Sequence, residues 1–119
     1  MPVSTLGEHL RARREALRES DRRYSLRQTA QRIGIEPAYL SKIERGEVPP
    51  PSEAALRRLA GDLGEDVDVI LAMAGKVSAD LQAIILRRPV LFAELLRELR
   101  DLPDHALLKL VREVRDGDW

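Results

Sequence analysis

Cysteine is absent from this 119-residue chain, and aromatic residues make up only 3% of it. Without cysteine, neither a disulfide framework nor a thiolate metal site is available. Because aromatic side chains are so few, the core must be built from Leu, Ile, Val and Ala, which favours helices. Long apolar runs are lacking too, so neither a membrane span nor a signal peptide is indicated. We therefore expect a soluble cytoplasmic protein with one modest core.

Excess charge of either sign is also missing, since the formal net charge at pH 7 is zero. The charged residues are unevenly distributed along the chain. Residues 1–50 contain ten Lys and Arg and seven Asp and Glu, whereas residues 51–75 contain two Lys and Arg and five Asp and Glu. The basic surplus includes a dense arginine run, namely Arg11, Arg13, Arg14, Arg18, Arg22, Arg23 and Arg27. Such a run is most often a solvated helix face, so by itself it does not establish nucleic-acid binding.

Hydrophobic residues recur at helical spacing along the chain, and no segment alternates convincingly as a strand would. Ser25 and Gln28 predict a capping box, Gly34 predicts a helix end, and Pro37 suits the first turn of the next helix. Helices are predicted at about residues 6–20, 36–45, 66–74 and 90–100, and others begin after Ser25, Ser52 and Ser78 and at Asp104. The chain is therefore predicted to be all-α.

The second and third predicted helices are separated by a turn of only a few residues. Ala30 is small enough for the two helices to approach closely, Gly34 makes the turn, and Leu40 and Ile43 seat the third helix. This order of features predicts a helix-turn-helix, which projects the start of its second helix into a DNA major groove.

Three stretches, "LGEHLRARREAL", "SLRQTAQRIGIEPAYLSKIERGE" and "PPPSEAALRRLAGDLG", together resemble the Cro/cI-type (Xre) helix-turn-helix domain of bacterial and phage regulators. The resemblance covers about residues 6–74. It implies a five-helix, lambda-repressor-like DNA-binding domain in residues 1–75 that acts as a dimeric transcriptional repressor on a double-stranded operator. It also implies a structural ion pair between Arg14 and Glu44.

Carried over position by position, the resemblance makes residues 36–45 the recognition helix. The implied base-reading residues are Ala38, Ser41, Lys42 and Glu36. The implied phosphate-binding residues are Tyr39, Arg45, Arg27, Arg22 and Arg23. Simpler roles remain open: Tyr39 as a surface cover, Lys42 as a solvated lysine, and Arg45 as a favourable charge at a helix C-terminus.

The sequence departs from the family pattern at three places. Glu36 stands where Ser or Thr is common; its carboxylate is repulsive near phosphates, although it suits a helix cap. Thr29 replaces an aliphatic residue and is expected to weaken the core slightly. The first connection, "RESDRRYS", is longer than is typical. These departures leave the expected fold unchanged but make the operator sequence unpredictable.

Residues 76–119 are expected to form about three helices with broad apolar stripes, too small a segment to bury those stripes alone. They could pack on the DNA-binding domain, on a second copy or on another protein, and self-association is favoured because it suits a two-fold operator. The candidate dimerisation residues are Leu91, Phe92, Leu95, Leu96, Leu99, Leu107, Leu110, Val111 and Val114. Trp119 covers a partner surface or belongs to a frayed terminus.

Catalysis is not expected. The two histidines, His9 and His105, lie in different segments and lack the spacing of zinc ligands or a catalytic triad, and there is no phosphate-binding glycine loop. No cofactor or metal is predicted. The alternative to an operator-binding repressor is an interaction adaptor or antitoxin-type protein whose C-terminal helices bind a toxin or a protease.

Overall fold

The computed structural model describes residues 5–119, and within that range it contains helices and no strand. The predicted all-α class is therefore confirmed. A 3-10 turn, Arg22–Tyr24, lies between the first two α-helices. The α-helices are α1 (Leu6–Arg18), α2 (Leu26–Ile33), α3 (Pro37–Glu44), α4 (Glu53–Leu63), α5 (Val67–Met73), α6 (Ala79–Arg87), α7 (Pro89–Leu99) and α8 (Asp104–Asp116).

The chain divides into two compact units, the first ending at Ala79 and the second being Asp80–Trp119. In the N-terminal unit, α1 to α5 surround one core made almost wholly of aliphatic side chains. Its largest fully buried side chains are Leu10, Leu40, Leu56, Leu59, Leu63, Ile70, Leu71, Thr29 and Ser78. Thr29 is thus a polar residue inside an aliphatic core, where its hydroxyl accepts a hydrogen bond from Arg32 Nη2 at 3.3 Å.

Local capping accounts for where several helices begin and end. Thr5 and Glu8 form a complete capping box at the start of α1. The hydroxyls of Ser25 and Ser52 accept hydrogen bonds from the backbone N–H groups of Gln28 and Ala55, at 3.2 Å in both cases. At the end of α2, Gly34 adopts a left-handed conformation with φ of 77°, which a residue with a side chain rarely tolerates.

Some local predictions need correction. The first helix ends at Arg18 rather than near residue 20, and the longer connection contains the 3-10 turn because Asp21 accepts a hydrogen bond from the Arg23 N–H. Ala16, an apolar residue within this helix, is exposed. Glu36 occupies the N-cap position of α3, but its side chain makes no cap hydrogen bond.

Gly7 allows α1 to lie directly against the end of α3. A Cβ atom at this position would lie 2.5 Å from the Ile43 carbonyl oxygen and 2.6 Å from that of Glu44. Both are backbone atoms, so only glycine fits unless the two helices separate. The approach of α1 to α3 therefore depends on a residue that periodicity did not single out.

The C-terminal unit contains α7, α8 and nearly all of α6, and none of its residues is buried. Phe92, Leu99, Leu107 and Leu110 are half-buried. The other candidate dimerisation residues are exposed, with 44% to 61% of their surface accessible: Leu91, Leu95, Leu96, Val111 and Val114. Trp119 is 90% exposed, and its indole Nε1 donates to the Val114 carbonyl oxygen at 2.9 Å.

Candidate nucleic-acid interface

The two helices of the predicted helix-turn-helix, α2 and α3, are joined through a buried contact surface. Ala30 and Leu40 are completely inaccessible, and Ile33 and Ile43 are nearly so. The N–H of Ile35 donates to the Ala30 carbonyl oxygen at 3.0 Å, which closes the turn after Gly34. This packing fixes the orientation of α3 and leaves its opposite face free.

The exposed face of α3 carries the residues expected to read bases. Ala38 and Lys42 are exposed and lie one helical turn apart, on the side away from Leu40 and Ile43; Arg45, expected to bind phosphate, is exposed at the C-cap after them. Ser41 is half-buried beside them, and Glu36 is exposed at the start of the helix. The major groove of B-DNA is wide enough to admit an α-helix that exposes such a stripe.

Beneath this face, a buried ion pair ties α3 to α1. Arg14 donates from Nε to Glu44 Oε2 at 2.7 Å and from Nη2 to Oε1 at 2.9 Å, while only 3% and 6% of the two residues is exposed. Arg14 Nη1 also donates to the Tyr24 carbonyl oxygen at 3.2 Å. The bonds to Glu44 raise the pKa of Arg14, although burial acts in the opposite direction. The pair therefore joins α1, α3 and the 3-10 turn.

The five residues expected to bind phosphates differ in their surroundings. Arg45 donates to the Ser41 carbonyl oxygen at 3.2 Å and lies 3.3 Å from a Glu47 carboxylate oxygen. Arg23 binds the Asp21 carboxylate, with its closest contact at 2.8 Å, and this contact lowers the pKa of Asp21. Arg22 and Arg27 are exposed, and Tyr39 is half-buried against the core. Two of the predicted phosphate ligands are thus paired with carboxylates.

Arg32 has a structural role that the sequence did not reveal. It forms a two-point ion pair with Asp62 of α4, at 2.7 and 3.0 Å, and its guanidinium carbon lies 4.9 Å from the centre of the Tyr24 ring. Arg32 Nη1 also donates to the Arg23 carbonyl oxygen. These contacts join the 3-10 turn, α2 and α4. Arg32 and Asp62 are thirty positions apart, so no local pattern marks them as partners.

Two further arginines close helix ends with long-range hydrogen bonds. Arg58 donates to the Ile33 carbonyl oxygen at the end of α2, and Arg13 donates to the Leu63 carbonyl oxygen at the end of α4, both at 2.9 Å. Much of the arginine-rich composition of this unit therefore serves its own scaffold. The hydrogen bonds and ion pairs of each arginine distinguish the structural arginines from those whose side chains have no partner in the part of the chain that the structure describes.

A small concavity lies where α1, the start of α2 and α3 meet. Its volume is about 180 Å³, and its lining residues are Arg11, Arg14, Leu26, Ser41, Glu44 and Arg45. Three arginines border it, but Arg14 is already bound to Glu44. Because Ser41 and Arg45 also lie beside the exposed face of α3, the concavity borders the predicted interface.

Comparison with protein families matches residues 5–71 to a helix-turn-helix domain. This is more than half of the chain and extends from the cap of α1 into α5. The chain belongs to this helix-turn-helix family. No curated protein and no solved structure matches it. The narrower resemblance to Cro/cI-type (Xre) regulators remains a prediction from the residues quoted above.

Helix-turn-helix domains characteristically bind DNA through the second helix of the motif, which here is α3. Within residues 5–119, no helix is both long and apolar enough to cross a membrane. The same residues contain no cluster of three or more His, Asp or Glu side chains that could hold a metal ion.

Proposed function

We propose that the protein is a sequence-specific regulator of transcription that binds double-stranded DNA and reads the major groove with α3. The observation that carries this proposal is the exposed stripe of α3, where Ala38 and Lys42 stand on a helix that Leu40, Ile43 and Glu44 fix from behind. Lys42 can donate to guanine O6 or N7, and the methyl group of Ala38 can contact a thymine methyl.

The proposed regulator acts as a dimeric repressor, and the C-terminal unit supplies the contact between two copies. Leu91, Leu95, Leu96, Val111 and Val114 expose apolar surface on helices whose residues are nowhere buried. If association covers this surface, each side chain contributes about 1 kcal/mol, since full burial of such a side chain is worth roughly 1.5–3 kcal/mol. Two protomers related by a two-fold axis would present two copies of α3 to a palindromic operator.

A mobility-shift titration tests the proposal directly. The full chain is titrated against DNA from upstream of its own gene and against an unrelated duplex, at near-physiological salt. Tight binding to the first duplex and weak, salt-sensitive binding to the second is the expected result. Equal, weak binding to both would show that this upstream DNA contains no operator. Partner binding by the C-terminal unit would then be tested.

Charge reversal on α3 then locates the interface. Lys42→Glu with Arg45→Glu should abolish operator binding, because both side chains are exposed on the proposed reading face. The matched control is Arg18→Glu with Arg57→Glu, which changes the charge equally at two residues outside α3 whose ion pairs, with Glu15 and Glu53, lie at the surface. The folding of both variants is checked by circular dichroism. Unchanged affinity after the α3 reversal would show that the interface lies elsewhere.

The second candidate function is an interaction adaptor or antitoxin-type protein in which DNA binding is secondary. The exposed apolar residues of α7 and α8 favour it, because a surface of this kind equally suits a different protein such as a toxin or a protease. The α3 charge reversal separates the two candidates, since an adaptor would keep its function after it. Neither candidate requires catalysis or a cofactor.

A further inference from the structure

One face of α8 carries an exposed apolar stripe with a charge of opposite sign at each end. This α8 stripe consists of Asp104, Leu108, Val111 and Arg115. Steps of four, three and four residues place them on the same side of an α-helix. All four are exposed, and Leu108 and Val111 keep 56% and 57% of their surface accessible. Leu110, which is half-buried, lies on a different side of the helix.

The α8 stripe contains a concavity of about 230 Å³. Its lining residues are Asp104, Leu107, Leu108 and Val111. Its walls are therefore aliphatic apart from one carboxylate. An occupant that matches this chemistry presents an aliphatic side chain together with a positive charge, and α8 itself carries this combination at Val111 and Arg115.

The charges at the two ends of the α8 stripe determine how two copies of the helix can pair. In a parallel pair, each charge would face the same charge of the second copy, and like charges so placed repel. In an antiparallel pair, Asp104 faces Arg115 of the partner subunit, and two-fold symmetry repeats this contact at the other end. In the same register, Leu108 faces Val111 of the partner subunit. The apolar side chains then meet between two ion pairs.

Both charges also have a role within their own helix. Asp104 lies in the first turn and Arg115 in the last, where each complements the helix dipole. Arg115 Nε lies 3.2 Å from Asp116 Oδ1, but the two side chains are 65% and 68% exposed, and such exposed pairs contribute little. These local roles do not account for Leu108 and Val111, whose apolar surface is unfavourable in water. A partner that covers the stripe accounts for all four residues.

We propose that two copies of the chain associate through an antiparallel pairing of their α8 helices. Asp104 binds Arg115 of the partner subunit, and Leu108 packs against Val111 of the partner subunit. The proposal rests on the dimer proposed above and identifies the helix at its two-fold axis. That axis passes midway between Leu108 and Val111, so the concavity of each copy faces the aliphatic and basic end of the other.

Cysteine cross-linking tests this register directly, because the chain has no cysteine of its own. Asp104→Cys and Arg115→Cys are prepared in the full chain as single variants, then mixed and oxidised without DNA. The two thiols lie opposite each other in the proposed pairing, so the mixture should yield a disulfide-linked dimer. Either variant alone should yield roughly 10-fold less, because its two thiols would lie about 16 Å apart along the helix axis, beyond the reach of a disulfide.

Charge reversal then tests the ion pairs. Asp104→Arg and Arg115→Asp each place like charges opposite each other, and light scattering should show that the dimer dissociates at a concentration about 10-fold higher. The variant with both changes restores opposite charges across the pair and should regain the wild-type mass. Effects on the helix dipole would instead add up in that variant. Lys109→Glu, on the polar face of α8, is the control and should leave the mass unchanged.

Several results would overturn the antiparallel pairing. They are a cross-link from Asp104→Cys alone, a wild-type dimer whose mixed variants give no cross-link, and a double charge variant that dissociates more readily than either single one. A monomeric wild-type chain would overturn the pairing together with the proposed dimer and would leave this face for a different protein. Because every measurement is made without DNA, a failure to bind an operator would overturn the regulatory function alone.

Discussion

Replacement of Gly7 by alanine should loosen the junction between α1 and α3. The added methyl group would lie 2.5 Å from the Ile43 carbonyl oxygen, 2.6 Å from the Glu44 carbonyl oxygen and 2.9 Å from the Glu44 carbonyl carbon. All three are backbone atoms of one turn of α3, so no side-chain rotation relieves the clash. The helices must separate, and that movement also strains the adjacent ion pair between Arg14 and Glu44.

The magnitude follows from two opposing terms. Overpacking of this kind typically costs about 1–3 kcal/mol, and because the three nearest atoms all belong to the backbone, the upper part of that range is expected. Alanine is a better helix former than glycine by about 1 kcal/mol, which offsets part of the cost. We therefore expect a net loss of roughly 1–2 kcal/mol in the free energy of unfolding. For a unit of this size, that loss corresponds to a melting temperature lower by roughly 5–15 °C.

Urea unfolding monitored by circular dichroism measures the effect, and Gly61→Ala provides the matched control. Gly61 lies within α4, and a Cβ atom placed there would have nothing within 4 Å. The same substitution should therefore stabilise the protein by about 1 kcal/mol at Gly61, through helix propensity alone. A midpoint for Gly7→Ala at or above the wild-type value would refute the close approach of α1 to α3.

Three further predictions concern charge and association. Arg14→Ala leaves the Glu44 carboxylate buried without its partner and should cost about 3–5 kcal/mol of unfolding free energy in urea titrations; a loss below 1 kcal/mol would contradict the burial of the pair. Leu95→Asp should convert the proposed dimer into monomers and weaken operator binding; an unchanged mass in light scattering would rule out α7 as the contact. Because Arg23 lowers the pKa of Asp21, the carboxylate stabilises the folded state above its unfolded pKa of about 3.9, and this contribution is lost as the pH falls through the lowered folded value. The difference in urea midpoint between wild type and Asp21→Asn should accordingly shrink between pH 6 and pH 2, and a constant difference would contradict it.

The local features of the fold were predictable because their causes lie within a few residues. Ser25, Gly34 and Pro37 fix the ends of α2 and the start of α3, and each acts through its own backbone or its nearest neighbours. The inward positions of Leu40 and Ile43 follow from helical spacing in the same way. Sequence alone therefore sufficed for the helix-turn-helix.

Apart from the pair of Arg14 with Glu44, which the family resemblance implied, the long-range contacts could not be predicted from the sequence. The contact of Gly7 with the end of α3 and the hydrogen bond from Arg13 to the Leu63 carbonyl oxygen join residues far apart in the chain. Nothing in the sequence around Gly7 or Arg13 indicates these partners. An arginine in a helix is equally common on a solvated face. For the same reason, the arginine run could not be divided into scaffold and interface before the partners of each side chain were known.

The pairing of Arg23 with Asp21 and of Arg45 with Glu47 has a consequence for binding specificity. A phosphate must compete with a carboxylate for each of these arginines, whereas Arg11, Arg22, Arg27 and Lys42 have no such competitor within residues 5–119. Exposed ion pairs are worth only about 0–1 kcal/mol, so a well-placed phosphate can displace either carboxylate. A poorly placed phosphate gains less and leaves the internal pair intact. If the chain binds DNA as proposed, the carboxylates should therefore lower non-specific affinity more than operator affinity, which would help a chain with zero net charge to discriminate between DNA sequences.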